Sequence, residues 1–340
     1  MDAYLGLSRA RRRLLCEQAS AQLALLPASV EKDFWVCWTL RELFALPSMG
    51  AILTFKGGTS LSKGWRLIQR FSEDLDVVIA RSHLGFGGEA SPERAASGKE
   101  RSRRLDALQQ RCREFVANDL LPALSGGVSR RLPKPSNWSL VLDADDPDGQ
   151  TVLFTYPTEF GRDAYVRPVV KIELGARSDT EPLERPSILA YVAEAFPSAL
   201  PDASFPVPTV APVRTFWEKA MLLHEERFRS SGTGPKPRLS RHYYDLGCLI
   251  AKGVGARAAA DIALFEAVAA HRSVFFRKSQ KARESLSRGT LRLLPRDEHL
   301  DAWRSDYEAM REAMFLDTPP SFDELLERIA EFERDFNAGL

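Results

Sequence analysis

The stretch TFKGGTSLSKGWRLIQRFSEDLDVVI, residues 54–79, sets two glycines and two hydroxyls ahead of a helical pattern, then brings in two carboxylates, Asp74 and Asp76. On a strand, successive side chains leave opposite faces, so Asp74 and Asp76 share one side while Leu75 and Val77 take the other. Two like charges that close repel, and carboxylate oxygens suit a hard divalent cation. Upstream, Gly57 and Gly58 lack Cβ atoms and admit a phosphate close to the backbone. A helix opening at Thr59 or Ser60 offers that phosphate its unpaired N–H groups. A phosphate cradle on one strand end and metal ligands on the next describe metal-assisted nucleotide chemistry.

Each half alone has a plain reading, a turn or a solvated acidic pair. Their conjunction carries more, because thirteen residues separate Ser60 from Asp74, enough for one helix and a return. The GxxxxGK[ST] spacing of a P-loop is absent, and so are the HRD and DFG of a protein kinase.

Outward from this segment, residues 9–26 and 30–46 read as helices, 51–55 as a strand, 61–69 as a helix and 74–80 as a strand. Residues 81–100 are glycine-punctuated loop, followed by a helix at about 100–121. Strands are expected near 137–143, 151–156 and 166–175, the first two joined through the acidic turn DADDPDG. Seven prolines mark 177–212 as a crossing between domains, and from Val213 the pattern is helical. The expected architecture is α+β: a domain over 1–210 with a mixed sheet flanked by helices, then an all-helical domain over 211–340.

Length and a hydrophobic share of 44% allow a full core and two domains. The formal charge of +1 announces no nucleic-acid binder, but the distribution is uneven. Residues 272–292 hold seven Lys or Arg against one acid, and 227–241 hold no acid. Four scattered cysteines without a CxxC pair indicate neither a zinc site nor a disulfide framework. With no signal-peptide pattern and no apolar run near the ~20 residues that span a bilayer, a soluble cytoplasmic protein with no membrane partner is expected.

The strand, Gly-Gly, helix, Asp-x-Asp order resembles the nucleotidyltransferase signature of the polymerase β superfamily, which adds a third carboxylate from a neighbouring strand. Glu173 in VRPVVKIELGAR matches it, on a segment where Lys171 and Glu173 share a face. Four stretches narrow the resemblance to the AbiEii/AbiGii toxin family, which includes the MenT toxins: VEKDFWVCWTLREL, FKGGTSLSKGWRLIQRFSEDLDVVI, EKAMLLHE and RHYYDL.

That resemblance implies a nucleotidyltransferase toxin of a toxin–antitoxin or phage-defence module, with a cognate antitoxin encoded nearby. It implies transfer of a nucleotide from an NTP to RNA, foremost the tRNA 3′ end, which stops translation. Asp74, Asp76 and Glu173 would hold Mg²⁺, as a two-metal site. Gly57, Gly58, Thr59, Ser60 and Lys63 would meet the nucleotide. Lys219 and Arg241 are carried over as its cations, and Asp245 as a catalytic residue orienting them. The basic stretches favour RNA over a small metabolite, with Arg277 and Lys278 as candidate contacts. Ser72 shares the face of the two aspartates and is a candidate control point, because a phosphate there would add about −1.5 to −2 charges. Two alternatives stay open: transfer to a protein or small molecule, and an inactive nucleotide- or RNA-binding module.

Overall fold

The computed structural model describes residues 1–132, 135–161, 166–229, 235–276, 280–315 and 318–339. The chain divides into two compact units: Met1–Trp65 with Ser72–Thr209, and Arg66–Phe71 with Val210–Leu340.

In the first unit the helices are α1 (Asp2–Leu5), α2 (Arg9–Leu23), α3 (Pro27–Phe44), α4 (Gly57–Thr59), α5 (Gly98–Phe115), α6 (Leu121–Arg131) and α7 (Tyr191–Ala195). Its strands are β1 (Leu53–Lys56), β2 (Leu75–Ile79), β3 (Ser139–Leu142), β4 (Thr151–Thr155), β5 (Val169–Gly175), β6 (Leu183–Glu184), β7 (Ser187–Ile188), β8 (Phe205–Pro206) and β9 (Thr209–Val210). Seven of them form a mixed sheet in the order β3-β4-β5-β2-β1-β9-β6. β2 runs parallel to β5 and antiparallel to β1, so the acidic strand is central. Leu75, Ile172 and Val170 are buried on one face, against which α3 contributes Trp35 and Trp38, stacked with Tyr156 and Phe154. The other face of β2 and β5 carries Asp76, Lys171 and Glu173, all half-buried.

The second unit is helical: α8 (Pro212–Arg227), α9 (Arg241–Ala251), α10 (Val254–Ala260), α11 (Ile262–Phe275), α12 (Gln280–Glu284), α13 (Leu300–Met314) and α14 (Phe322–Ala338). Phe216 and Trp217 on α8 meet Phe265, Phe332 and Phe336, an aromatic core that draws α8, α11 and α14 together. The α+β class, with a mixed sheet and a helical C-terminal part, is the one expected.

Three boundaries differ from the periodicity, each for a physical reason. The helix expected over 61–69 stops early: α4 passes into a π-turn over Ser60–Gly64, and Arg66 then adopts φ +52°. The helix expected to stop near 121 instead continues through a π-turn at Val116–Leu120 into α6. The wider turn accommodates Pro122, which has no N–H and would clash inside regular helix. Within the helical pattern that follows Val213, the stretch ARAAADIALFEAVAAHRSVFF (256–276) reads as one helix but is broken at Asp261, which leaves helical geometry and accepts from the Leu264 N–H as an N-cap.

Candidate active site

β1 ends at Lys56 and the chain turns at Gly57 with φ +81°. A Cβ on Gly57 would stand 1.9 Å from Asp76 Oδ2, so this glycine is required twice, by its left-handed backbone and by the carboxylate against it. The antiparallel register sets Lys56 opposite Asp76, and the parallel register sets Asp76 opposite Glu173. Asp74 lies just ahead of β2.

Burial pushes the Asp74 carboxyl above the usual range, and the Glu173 and Glu73 charges add to that push against the pull of Lys171 and Lys32. Like charges are thus gathered at the edge of the Gly57 turn. An all-oxygen donor set in mutual repulsion fits a hard divalent cation better than a soft one.

The three-carboxylate cage expected from the sequence is not assembled. Among the described residues no three His, Cys, Asp or Glu side chains are grouped to hold a metal ion. Glu173 pairs within its own strand: its Oε1 is 2.6 Å from Lys171 Nζ, two residues earlier on the same face of β5.

Three residues assigned to the nucleotide are committed inside the protein instead. Thr59, 1% exposed, directs its hydroxyl to Ser72 Oγ (2.9 Å) and the Asp74 carbonyl (2.5 Å). Ser60, fully buried, donates to the Gly57 carbonyl at 2.9 Å and closes the turn. Lys63 Nζ is 2.8 Å from Asp33 Oδ1 and 3.4 Å from the centre of the Tyr191 ring. Burial alone would depress that ammonium, but Asp33 outweighs it and holds the lysine above its usual range. The turn is therefore braced from below by the residues expected to face the ligand.

α3 supplies the bracing through three successive buried residues. Glu31 accepts from the Thr158 hydroxyl (2.6 Å) and the Glu159 N–H (2.7 Å). Lys32 Nζ is 2.7 Å from Glu73 Oε2, next to Asp74. Asp33 holds Lys63 and accepts from the Tyr191 N–H at 2.6 Å. The Glu-Lys-Asp run was visible in the sequence, whereas its partners lie 30 to 158 residues away.

In the helical unit, Asp245 is fully buried. Its Oδ1 lies 2.7 Å from Arg70 Nε, and its Oδ2 lies 2.9 Å from Arg70 Nη2 and 2.8 Å from Lys219 Nζ. Burial would raise the carboxyl, but the two cations drive it well below the usual carboxylate range. Lys219 is on α8, and Arg241 opens α9 one turn ahead of Asp245 and is half-buried. Asp245 thus contacts Lys219, and the arginine it grips is Arg70 rather than Arg241. Arg70 has no role assigned by its pattern; its one signal is an arginine set among apolar residues in RLIQRF.

Of the basic stretches, Arg272 is buried and bidentate to Glu225 at 2.7 and 2.8 Å, and Arg227 donates to the Leu294 and Pro295 carbonyls. These two charges serve the fold. Arg277 and Lys278 lie outside the described residues.

Among the described residues no helix is long and apolar enough to cross a membrane. No curated protein matches the chain. Among solved structures it is similar to JHP933 from Helicobacter pylori, at 14% identity over 91% of this chain and 90% of that one, with a TM-score of 0.40. It is also similar to the nucleotidyltransferase toxin MenT4 from Mycobacterium tuberculosis, at 18% identity over 96% and 99%, with a TM-score of 0.39. The family model described as nucleotidyl transferase AbiEii toxin, type IV toxin–antitoxin system, matches residues 38–328. The chain therefore belongs to the AbiEii family of nucleotidyltransferase toxins of type IV toxin–antitoxin systems.

Proposed function

We propose that this toxin transfers a nucleoside monophosphate from an NTP to the 3′ end of an RNA, foremost tRNA, with the Gly57 turn, Asp74 and Asp76 as its reactive centre. The observation that carries the reading is the Gly57 backbone pressed against the Asp76 carboxylate, beside a second carboxylate that burial and its neighbours disfavour as a charge. A triphosphate at that turn meets carboxylates on its flank, an arrangement that needs a cation.

Asp74 and Asp76 are the proposed Mg²⁺ ligands. When bound, the ion supplies charge neutralisation at the transferring phosphate. The chain's own contribution is placement. Gly57 lets the Asp76 carboxylate lie against the turn, and Gly58 is the proposed point of close approach for the phosphate. Thr59 ties the turn to the Asp74 carbonyl, and Lys32 fixes Glu73 and with it the approach to Asp74. Lys219 and Arg241 are the proposed cations for the triphosphate. The charges of 227–241 other than Arg227, and those of 272–292 other than Arg272, are the proposed RNA-facing charges. Ser72, hydrogen-bonded to Thr59 beside this turn, is retained as a proposed control point.

The test incubates the full chain with total tRNA, Mg²⁺ and each labelled NTP in turn. Label in tRNA that disappears in Asp76→Asn is the expected result. Label confined to protein, or present at equal level in Asp76→Asn, would overturn the proposal.

A further inference from the structure

Lys171 stands in an unusual place. On β5 the residues alternate, with Val170, Ile172 and Leu174 buried and Lys171 and Glu173 on the half-exposed face. The parallel register pairs Leu75 with Ile172 and Asp76 with Glu173, which puts Lys171 level with the entry to β2 at Asp74. A cation is thus built into the row of carboxylates, from the same strand as the proposed third ligand. Its Nζ is 2.6 Å from Glu173 Oε1.

Resting on the reading of Asp74 and Asp76 as cation ligands, we propose that Lys171 is a resident counter-charge that holds Glu173 back from the site and is displaced by the incoming divalent ion, so that it sets how tightly the ion is held. The Lys171 and Glu173 side chains are 38% and 43% exposed, so solvent screens their pair and it is cheap to open. A dication beside Asp74 and Asp76 repels the ammonium while attracting Glu173, which breaks the pair from both ends.

Mn²⁺ alone is the probe, titrated into the full chain and read by water-proton relaxation, with no turnover required. Lys171→Met keeps an apolar stem of similar length without the charge, and is expected to tighten Mn²⁺ binding about tenfold, the scale of removing one charge near a dication. Lys171→Arg keeps the charge and is expected to stay within about twofold of the native protein. Asp76→Asn reports on the underlying reading and is expected to weaken binding. Unchanged or weaker binding in a folded Lys171→Met, with binding still lost in Asp76→Asn, would overturn the role of Lys171 and leave the cation site standing. Mn²⁺ binding that is insensitive to Asp76→Asn would overturn both.

Discussion

Asp74 and Asp245 are both carboxylates taken largely out of water, and burial pushes each of them towards its neutral form. Their surroundings then part company. Asp74 faces Glu173 and Glu73, with Lys171 and Lys32 opposing them, and its carboxyl stays high. Asp245 is gripped by Arg70 and Lys219 and is driven far down. The first has surplus negative charge that a ligand can relieve; the second is complete within the protein. Burial of a carboxylate is therefore no signature of chemistry by itself, and the sign of the charge around it decides which work it does.

The sharpest way to break this contrast is to remove each carboxylate and follow stability. Asp245→Ala strands two buried cations, and chemical denaturation is expected to show a loss of about 3–5 kcal/mol. Asp74→Asn removes a repelled charge and is expected to leave stability unchanged or higher by up to about 1 kcal/mol. Equal losses in the two variants would erase the distinction.

The buried Lys63–Asp33 pair sharpens the comparison within the first unit. Asp33→Ala is expected to cost about 3 kcal/mol or more, because it orphans Lys63. Lys63→Met with Asp33→Leu is expected to recover most of that loss, since exchanging a buried pair for apolar groups is often near neutral. If the double variant is as unstable as Asp33→Ala, the pair's role is not the electrostatic one described.

Glu31 offers a milder test through pH. Burial raises its carboxyl to about 7, against the pull of the Thr158 and Glu159 donors. A group whose folded value is raised contributes stability at low pH and loses it as pH climbs from its unfolded value through the folded one. Native protein is thus expected to lose about 2 kcal/mol between pH 5 and pH 7.5 through this residue. Glu31→Gln should show a correspondingly flatter profile in urea melts at the two pH values. An identical slope in both proteins would remove Glu31 as the cause. The smallest effect is expected at Ser72, where Ser72→Ala removes one hydrogen bond to Thr59 and should retain transfer activity within about threefold.

What was legible in the sequence was what depends on neighbours along the chain. Strand alternation set Asp76 and Glu173 on the half-buried faces of β2 and β5, and the two glycines announced a turn, where the group against Gly57 is the Asp76 carboxylate. Helix breaks at Asp261 and the continuation past Pro122 were not legible, because a cap and a π-turn depend on local geometry that hydrophobic periodicity does not encode. Partners distant in sequence were equally hidden. Thr59, Ser60 and Lys63 carry the residue types that bind phosphate, and only their contacts with Ser72, Gly57 and Asp33 show that they brace the turn instead. Arg70 was hidden by the same cause, its carboxylate lying 175 residues further on.

The most direct test of the central claim, that Asp76 belongs to the reaction and Asp245 to the framework, is the rate of nucleotidyl transfer by Asp76→Asn, measured beside its unfolding curve. The expected result is a loss of at least about 10²-fold in kcat by a variant that still unfolds cooperatively. Transfer within about tenfold of native in a folded Asp76→Asn would contradict it.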